Sequence, residues 1–131
     1  MKVALGIGCD RGTPASTIAQ AVDAALAKAG LRADSVARVA SIDLKADEAG
    51  LLQFAAEREW TLMLYPATAL AEVEVPNPSE VVRKYTGTPS VSEAAALLAA
   101  QADPSGLLIE KFRLRGPDGR NATISVARIA L

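Results

Sequence analysis

One stretch near the start of the chain combines residue types from which a small binding site is commonly built. Residues 6–13 contain three glycines, the single cysteine and an arginine. Glycines let backbone N–H groups approach a ligand, and a following helix start adds partial positive charge. The stretch therefore predicts a site for an anionic group, although three glycines also suit a plain tight turn. The residues predicted to bind the ligand here are Gly8, Cys9, Arg11, Gly12 and Thr13.

The thiol of Cys9 is the first candidate for covalent chemistry. Arg11 and the helix start would both lower the pKa of a neighbouring thiol, and the thiolate is the nucleophilic form. A lone cysteine is, however, more often a small packing residue.

The glycine spacing raises the question of a nucleotide site. Gly6-x-Gly8-x-x-x-Gly12 is longer than the dinucleotide fingerprint, and no Gly-Lys-Ser or Gly-Lys-Thr follows it. Asp43, at the end of a predicted strand, is an acid that could meet a ribose. Nucleotide binding therefore stays as an alternative.

A second group of candidates lies later in the chain. Ser90 and Glu93 have the spacing of a capping box, and the amides of such a helix start can also bind a carboxylate. Lys111 lies in an otherwise apolar strand, where alternation favours solvent but a cleft-facing cation is the alternative. Thr88, Ser90 and Lys111 are predicted ligand-binding residues. Candidates for proton transfer or nucleophilic attack are Cys9, Glu93 and Lys111.

The composition excludes several kinds of catalytic and binding site. The chain has no histidine, which excludes Ser–His and Cys–His pairs and histidine ligation of zinc, haem or cobalt by this chain. Lys and Arg total 14 against 15 for Asp and Glu, so no nucleic-acid partner is expected. No apolar stretch approaches the roughly 20 residues that span a bilayer. We expect no membrane association, no metal site, no resident cofactor and a cytoplasmic location.

Strands and helices alternate through the first half of the chain. Residues 2–5, 36–42 and 61–65 predict strands, and residues 14–29 and 47–57 predict helices between them. This order predicts parallel pairing.

Several local features accompany these elements. Thr13 is the predicted N-cap of the first helix, with Pro14 at its first position and Gly30 after its end. Arg38 and Ser41 suggest that the second strand is incompletely buried, and Leu52 is expected on the buried side of the second helix.

The second half predicts a helix over residues 78–85, a second alanine-rich helix over residues 91–102, and a hairpin. The hairpin strands are residues 107–114 and 122–129, joined at residues 116–119. The whole chain, residues 1–131, is predicted to be one α/β domain. Its expected architecture is a three-layer α/β/α sandwich with a mixed, mostly parallel sheet of about five strands and a C-terminal antiparallel hairpin. The loops at residues 6–13, 66–71 and 86–90 are expected to converge at the carboxyl ends of the strands.

Taken together, the motifs resemble a known family. Residues 6–13, Ser41-Ile42-Asp43-Leu44-Lys45-Ala46-Asp47-Glu48, and Gly87-Thr88-Pro89-Ser90-Val91-Ser92-Glu93 resemble the CobE/CbiG C-terminal domain family of cobalamin biosynthesis. The Lys111 strand and residues 122–128 extend the resemblance over essentially the whole chain. Asp10 departs from it, because the family usually carries a second basic residue before Arg11, and this is expected to weaken the positive charge of the loop.

The resemblance implies a role in the oxygen-dependent synthesis of the corrin ring, with a precorrin, a tetrapyrrole, as the ligand. The carboxylate side chains of such a ligand suit amides, Arg11 and Lys111, and its ring suits apolar walls. The leading hypothesis is a module that binds or carries a precorrin, in contact with other corrin-pathway enzymes. The alternatives are an enzyme acting on a precorrin, such as a hydrolase that opens a ring lactone, and, outside the family, a nucleotide-binding domain.

Overall fold

The structure is a computed structural model that describes residues 1–79 and 90–130. The strands in this part are β1 (Val3–Cys9), β2 (Val36–Ile42), β3 (Leu62–Tyr65), β4 (Leu107–Arg115) and β5 (Asn121–Arg128). The helices are α1 (Ala15–Lys28), α2 (Ala49–Arg58), α3 (Ala67–Ala71) and α4 (Val91–Ala100). The helix predicted over residues 78–85 falls almost wholly outside the described residues.

One sheet joins the strands in the order β3-β2-β1-β5-β4. β1, β2 and β3 pair in parallel, whereas β5 is antiparallel to both of its neighbours. β4 therefore runs in the same direction as β1, and the predicted mixed, mostly parallel sheet with an antiparallel hairpin is confirmed. The ends of β1, β2 and β4 and the start of β5 consequently lie at one edge of the sheet, here called the carboxyl edge.

β1 separates two helical layers by alternating large and small residues. Val3, Leu5 and Ile7 are fully buried in the core that the sheet forms with α1 and α2. Ala4 and Gly6 face the opposite side, where Ala4 belongs to the core formed with α3 and α4. The predicted three-layer sandwich is confirmed, because a helical layer covers each face of the sheet.

The small residues of β1 let α4 pack with its backbone on the sheet. A Cβ on Gly6 would lie 1.9 Å from the carbonyl oxygen of Ser92 and 2.6 Å from the backbone nitrogen of Ala96. The buried residues of α4 are mostly alanines, which matches this close approach. Gly6 therefore fixes the distance between α4 and β1.

This packing corrects the prediction for the start of the chain. Gly6, Gly8 and Cys9 were expected in a loop, but they continue β1, paired with β5 from Val3–Arg128 to Cys9–Ala122. Glycine is uncommon in strands, and here it is tolerated because another backbone approaches closely.

Three smaller expectations were also wrong. The N-cap position of α1 is Pro14, and Thr13 Oγ1 instead donates to the carbonyl of Asp10 at 2.7 Å. Leu52 is 41 % exposed. β2 is incompletely buried at Arg38, as expected, but Ser41 is fully buried, because its hydroxyl donates to the carbonyl of Ile7 at 2.6 Å.

The turn predictions were accurate. Gly30 follows α1 with a φ of +73°. At the hairpin, the Gly116 N–H donates to the Arg120 carbonyl at 2.8 Å, and Gly119 has a φ of +85°. Both positive φ angles lie in the region that glycine adopts without strain. Within residues 1–79 and 90–130, no helix is long and apolar enough to cross a membrane.

Candidate functional site

A cleft of about 750 Å³ opens at the carboxyl edge. Four parts of the chain contribute to it: the end of β1, the segment after β2, the start of α4 and the β4–β5 hairpin. The first two supply Gly8, Cys9, Asp10, Arg11, Ile42, Leu44 and Lys45. The other two supply Ser90, Val91, Ser92, Lys111, Arg113, Asn121 and Thr123. Its location at the ends of the central strands is the one expected for ligands of open α/β sheets.

Asp10 joins the end of β1 to the start of β5. Its Oδ2 accepts hydrogen bonds from the backbone N–H of Asn121 at 2.7 Å and from Asn121 Nδ2 at 3.1 Å. A lysine or arginine at this position has no acceptor with which to make these bonds. Asp10 therefore stabilises the strand pairing beside the cleft.

Basic side chains are concentrated in the cleft. Arg11, Lys45, Lys111 and Arg113 line it, and Asp10 is the one carboxylate among the lining residues described. The whole chain has a net charge of −1, so this concentration is local. Clustered Arg and Lys side chains favour carboxylate ligands through charge-assisted hydrogen bonds.

Two acids on the segment before α2 hold the cations that follow β1 and β2. Arg11 Nη1 donates to Asp47 Oδ1 at 2.9 Å, and this pairing lowers the pKa of the Asp47 carboxyl. Glu48 Oε1 lies 3.4 Å from Arg11 and 3.6 Å from Lys45. Glu48 is only 3 % exposed, and its Oε2 accepts from the Gly12 N–H at 3.0 Å. Oε1 has ionic contacts but no hydrogen bond within the described residues, so charge compensation keeps this carboxylate in place.

Lys111 lines the cleft, although strict alternation along β4 favours a side chain that points into solvent. The pairing register of β4 with β5 shifts between Ile109 and Phe112, and both of these residues pack toward α1. The shift moves Lys111 to the opposite face from its apolar neighbours, as bulges commonly do near sites. Its amino group donates to the backbone carbonyl of Asn77 at 2.5 Å.

Glu93 does not line the cleft, and the capping-box prediction for it was wrong. Its side chain is fully buried and accepts from Asn77, at 2.7 Å from Nδ2 and 3.3 Å from the backbone N–H. No side-chain cap hydrogen bond forms at Ser90. The carbonyl of Asn77 in turn accepts from Lys111. Glu93 therefore positions that lysine through Asn77 and does not contact a ligand itself.

Cys9 lines the cleft, and its surroundings do not favour the activation that was considered for its thiol. Burial raises the pKa of the thiol to about 11. The positive charges of Lys45 and Arg11 act in the opposite direction and are outweighed. The thiol is therefore protonated near neutral pH and is a poor nucleophile.

The structure brings together Gly8, Cys9, Arg11, Ser90 and Lys111 from the predicted set. Gly12 and Thr13 lie instead at a separate cavity of about 420 Å³ beside Glu48. Thr88 is outside the described residues. Asp43, on which the nucleotide alternative depended, is not among the residues that line the cleft.

Sequence reasoning missed several lining residues. Lys45 lies three residues after the end of a predicted strand and Arg113 shares a strand with Lys111, so both signals were present in the sequence. Asn121 and Thr123 had no local signal, because they reach the cleft only through the pairing of β5 with β1. Among the residues described, no cluster of three or more His, Cys, Asp or Glu side chains could hold a metal ion.

Comparison with known families gives one match that spans the chain. The family described as "Cobalamin synthesis G C-terminus" matches residues 3–127.

Two relatives and one solved structure illustrate the similarity. The cobalt-precorrin-5A hydrolase of Priestia megaterium is 39 % identical over 127 residues, which cover 97 % of this chain and 32 % of that protein. Protein CobE of a Sinorhizobium species is 38 % identical over 110 residues, covering 82 % of this chain and 71 % of that protein. The crystal structure of CobE, a protein from the cobalamin (vitamin B12) biosynthetic pathway, is 34 % identical. It matches with a TM-score of 0.83 over 98 % of this chain and 91 % of that structure. The chain thus spans about a third of the hydrolase but most of CobE.

Proposed function

Because this chain belongs to the cobalamin synthesis G C-terminus family, we propose that its cleft binds a tetrapyrrole intermediate of corrin-ring synthesis through the carboxylate side chains of that intermediate. The observation that carries the proposal is the concentration of four cationic side chains around one cleft in a chain of net charge −1. A precorrin presents several acetate and propionate groups around an apolar ring. Cations at separate positions of the cleft would meet more than one of these groups.

The size and walls of the cleft also support a ligand of this class. A volume of about 750 Å³ is within the roughly 300–1,000 Å³ that ligand sites commonly occupy. Ile42, Leu44 and Val91 supply apolar surface between the charged positions. Leu44 is 51 % exposed, so its side chain is accessible to a ligand in the cleft.

Holding the intermediate is favoured over converting it. Among the described cleft residues, the Cys9 thiol is protonated and Asp10 is bonded to Asn121. The amino group of Lys111, which also lines the cleft, already donates to the carbonyl of Asn77. Glu93, the other acid considered, lies away from the cleft. A carrier of this kind would exchange its ligand with other enzymes of the same pathway, and a cytoplasmic location would suit such exchange.

The alternative is hydrolysis of a precorrin, and it is supported by relatives named cobalt-precorrin-5A hydrolase at 39 % and 36 % identity. This chain spans 32 % of the length of each, so about two thirds of each hydrolase has no counterpart in the matched residues.

The test is a titration of the purified chain with early and late pathway intermediates, followed by absorbance and by the mass of the recovered ligand. We expect a stoichiometric spectral change and an unaltered mass. An altered mass would support the hydrolase alternative, and no binding of any intermediate would refute the proposed function.

Arg113→Ala and Arg32→Ala form a matched pair for this titration. Both arginines are exposed, but Arg113 lines the cleft whereas Arg32 precedes β2 at the opposite edge and pairs with Asp34. The first substitution should weaken binding several-fold and the second should leave it unchanged. Equal effects would mean that the cleft is not the binding site.

A further inference from the structure

Ser90 carries a buried hydroxyl whose hydrogen-bonding capacity is unused. The residue lines the cleft and is 1 % exposed, and its Oγ has no hydrogen-bond partner within residues 1–79 and 90–130. Burying a hydroxyl without a partner destabilises a protein. Such a group in a native structure calls for a specific explanation.

Backbone donors next to Ser90 also lack a partner among the described residues. Ser90 occupies the N-cap position of α4, a helix of 10 residues, with an extended backbone and no side-chain cap hydrogen bond. The helix's own bonding begins where the Ala94 N–H donates to the Ser90 carbonyl at 3.2 Å. The N–H groups of the first turn, which precede Ala94, therefore have no capping side chain within the part of the chain that the structure describes. A negative group at this position would be favoured by both the free donors and the helix dipole.

The position of this helix start is fixed relative to β1. Gly6 holds the first turn of α4 against the strand, since a Cβ there would lie 1.9 Å from the Ser92 carbonyl oxygen. Two residues further along β1, a Cβ on Gly8 would meet only the Val91 Cβ, at 4.0 Å. The strand and the helix are thus in tight contact at Gly6 and leave space at Gly8, on the side that opens into the cleft.

We propose that Ser90 and the first-turn amides of α4 form a subsite for one carboxylate of the bound ligand. The Ser90 O–H donates to one oxygen of this carboxylate, and a backbone N–H of the first turn donates to the other. The inference rests on the proposed function, and it adds a neutral, directional subsite to the charged positions of Arg11, Lys45, Lys111 and Arg113. A carboxylate accepts both bonds, whereas an ester or amide at this position satisfies fewer of them.

A purely structural role for Ser90 makes a different prediction. If the hydroxyl capped the helix, its removal would destabilise the fold. Because it makes no cap bond, its removal should leave stability unchanged or raise it. Ser92 provides the comparison, since its hydroxyl is hydrogen-bonded to that of Ser125 at 2.9 Å and its removal should destabilise.

The experiment measures two properties of Ser90→Ala in the full chain. The first is the midpoint of thermal unfolding, with Ser92→Ala as the comparison. The second is the dissociation constant for cobyrinic acid, a stable corrin with free carboxylates, and for its fully methylated ester. We expect an unchanged or higher midpoint and an affinity for the acid that falls about tenfold, as for loss of a hydrogen bond to a charged group. The preference of the protein for the acid over the ester should fall as well.

The outcomes separate this inference from the proposed function. Failure of the unaltered chain to bind cobyrinic acid would count against the proposed function and, with it, the subsite. If the unaltered chain binds and Ser90→Ala binds equally well, the subsite is refuted while the proposed function stands. A lower midpoint for Ser90→Ala would assign the hydroxyl to the fold and would also overturn the inference.

Discussion

The two glycines of β1 should differ strongly in how far the same substitution destabilises the fold. In Gly6→Ala the new methyl carbon would lie 1.9 Å from the Ser92 carbonyl oxygen and 2.6 Å from the Ala96 nitrogen. Both are backbone atoms, so no side chain can rotate away and α4 must move off the sheet by roughly 1.5 Å to restore ordinary contact. Overpacking of a core usually lowers the free energy of unfolding by about 1–3 kcal/mol, and a backbone clash belongs at the upper end, near 3 kcal/mol or more.

Gly8→Ala is the matched control, because the new methyl group meets only the Val91 Cβ, at 4.0 Å. We expect its free energy of unfolding to change by less than about 0.5 kcal/mol. The methyl group would nevertheless project toward the cleft, so affinity for a corrin carboxylate should fall even though the fold is intact.

Urea denaturation followed by tryptophan fluorescence measures both variants. Trp60, the single tryptophan, packs edge-on against Phe54 with the ring centres 5.8 Å apart, so its emission reports on the core. Equal stability of the Gly6 variant and the unaltered chain would refute the close packing of α4 on β1. A large loss of stability in the Gly8 variant would refute the open space assigned to the cleft.

Three further predictions concern titratable groups. Burial raises the pKa of Cys9 to about 11, so its thiol should react with iodoacetamide at pH 8 far more slowly than a free thiol. A rate like that of a small-molecule thiol would contradict this prediction. The Cys9→Ala variant should retain ligand binding. Arg11→Ala should raise the pKa of Asp47 toward its ordinary value of 3.8, as measured by carboxyl NMR titration, and no change would mean that the pair does not form in solution. Glu93→Ala should lower the free energy of unfolding by about 1–3 kcal/mol, because Asn77 loses its buried acceptor. It should also weaken ligand binding, because Asn77 accepts from Lys111. Stability close to that of the unaltered chain would exclude a role for Glu93 in holding Asn77.

The pH dependence that follows from Asp47 has a definite sign. Its pKa is lowered in the folded chain, so its contribution to stability is present above pH 3.8 and is lost as the pH falls through the folded-state pKa. Asp47 is highly exposed, so this contribution is expected to be small and sensitive to salt.

Those parts of the fold that depend on local pattern were predictable from the sequence. β2 runs over Val36–Ile42 as the apolar run indicated, and the glycines after α1 and in the hairpin turn were correctly interpreted. The end of β1 was not predictable, because Gly6 and Gly8 signal a turn when only their neighbours are considered. They form a strand because α4, far along the chain, needs a residue without a side chain at Gly6.

The candidate site shows the same division between local and distant causes. The carboxyl edge could be located from the alternation of strands and helices, and Arg11 and Ser90 from the ends of those elements. Asn121 reaches the cleft only because β5 inserts beside β1, and that strand order leaves no local trace in the sequence. The orientation of Lys111 depends on a register shift that periodicity arguments do not reveal.

The measurement that tests the central claim most directly is an NMR titration of the uniformly labelled chain with cobyrinic acid. If the cleft binds corrin carboxylates, the backbone amide shifts that change should cluster at the carboxyl edge, at Gly8, Ser92 and Thr123. Gly30 and Gly106, which lie away from the cleft, should not shift. Shifts confined to the cavity beside Glu48 or to the opposite edge of the sheet, with the amides of the cleft unchanged, would contradict the account.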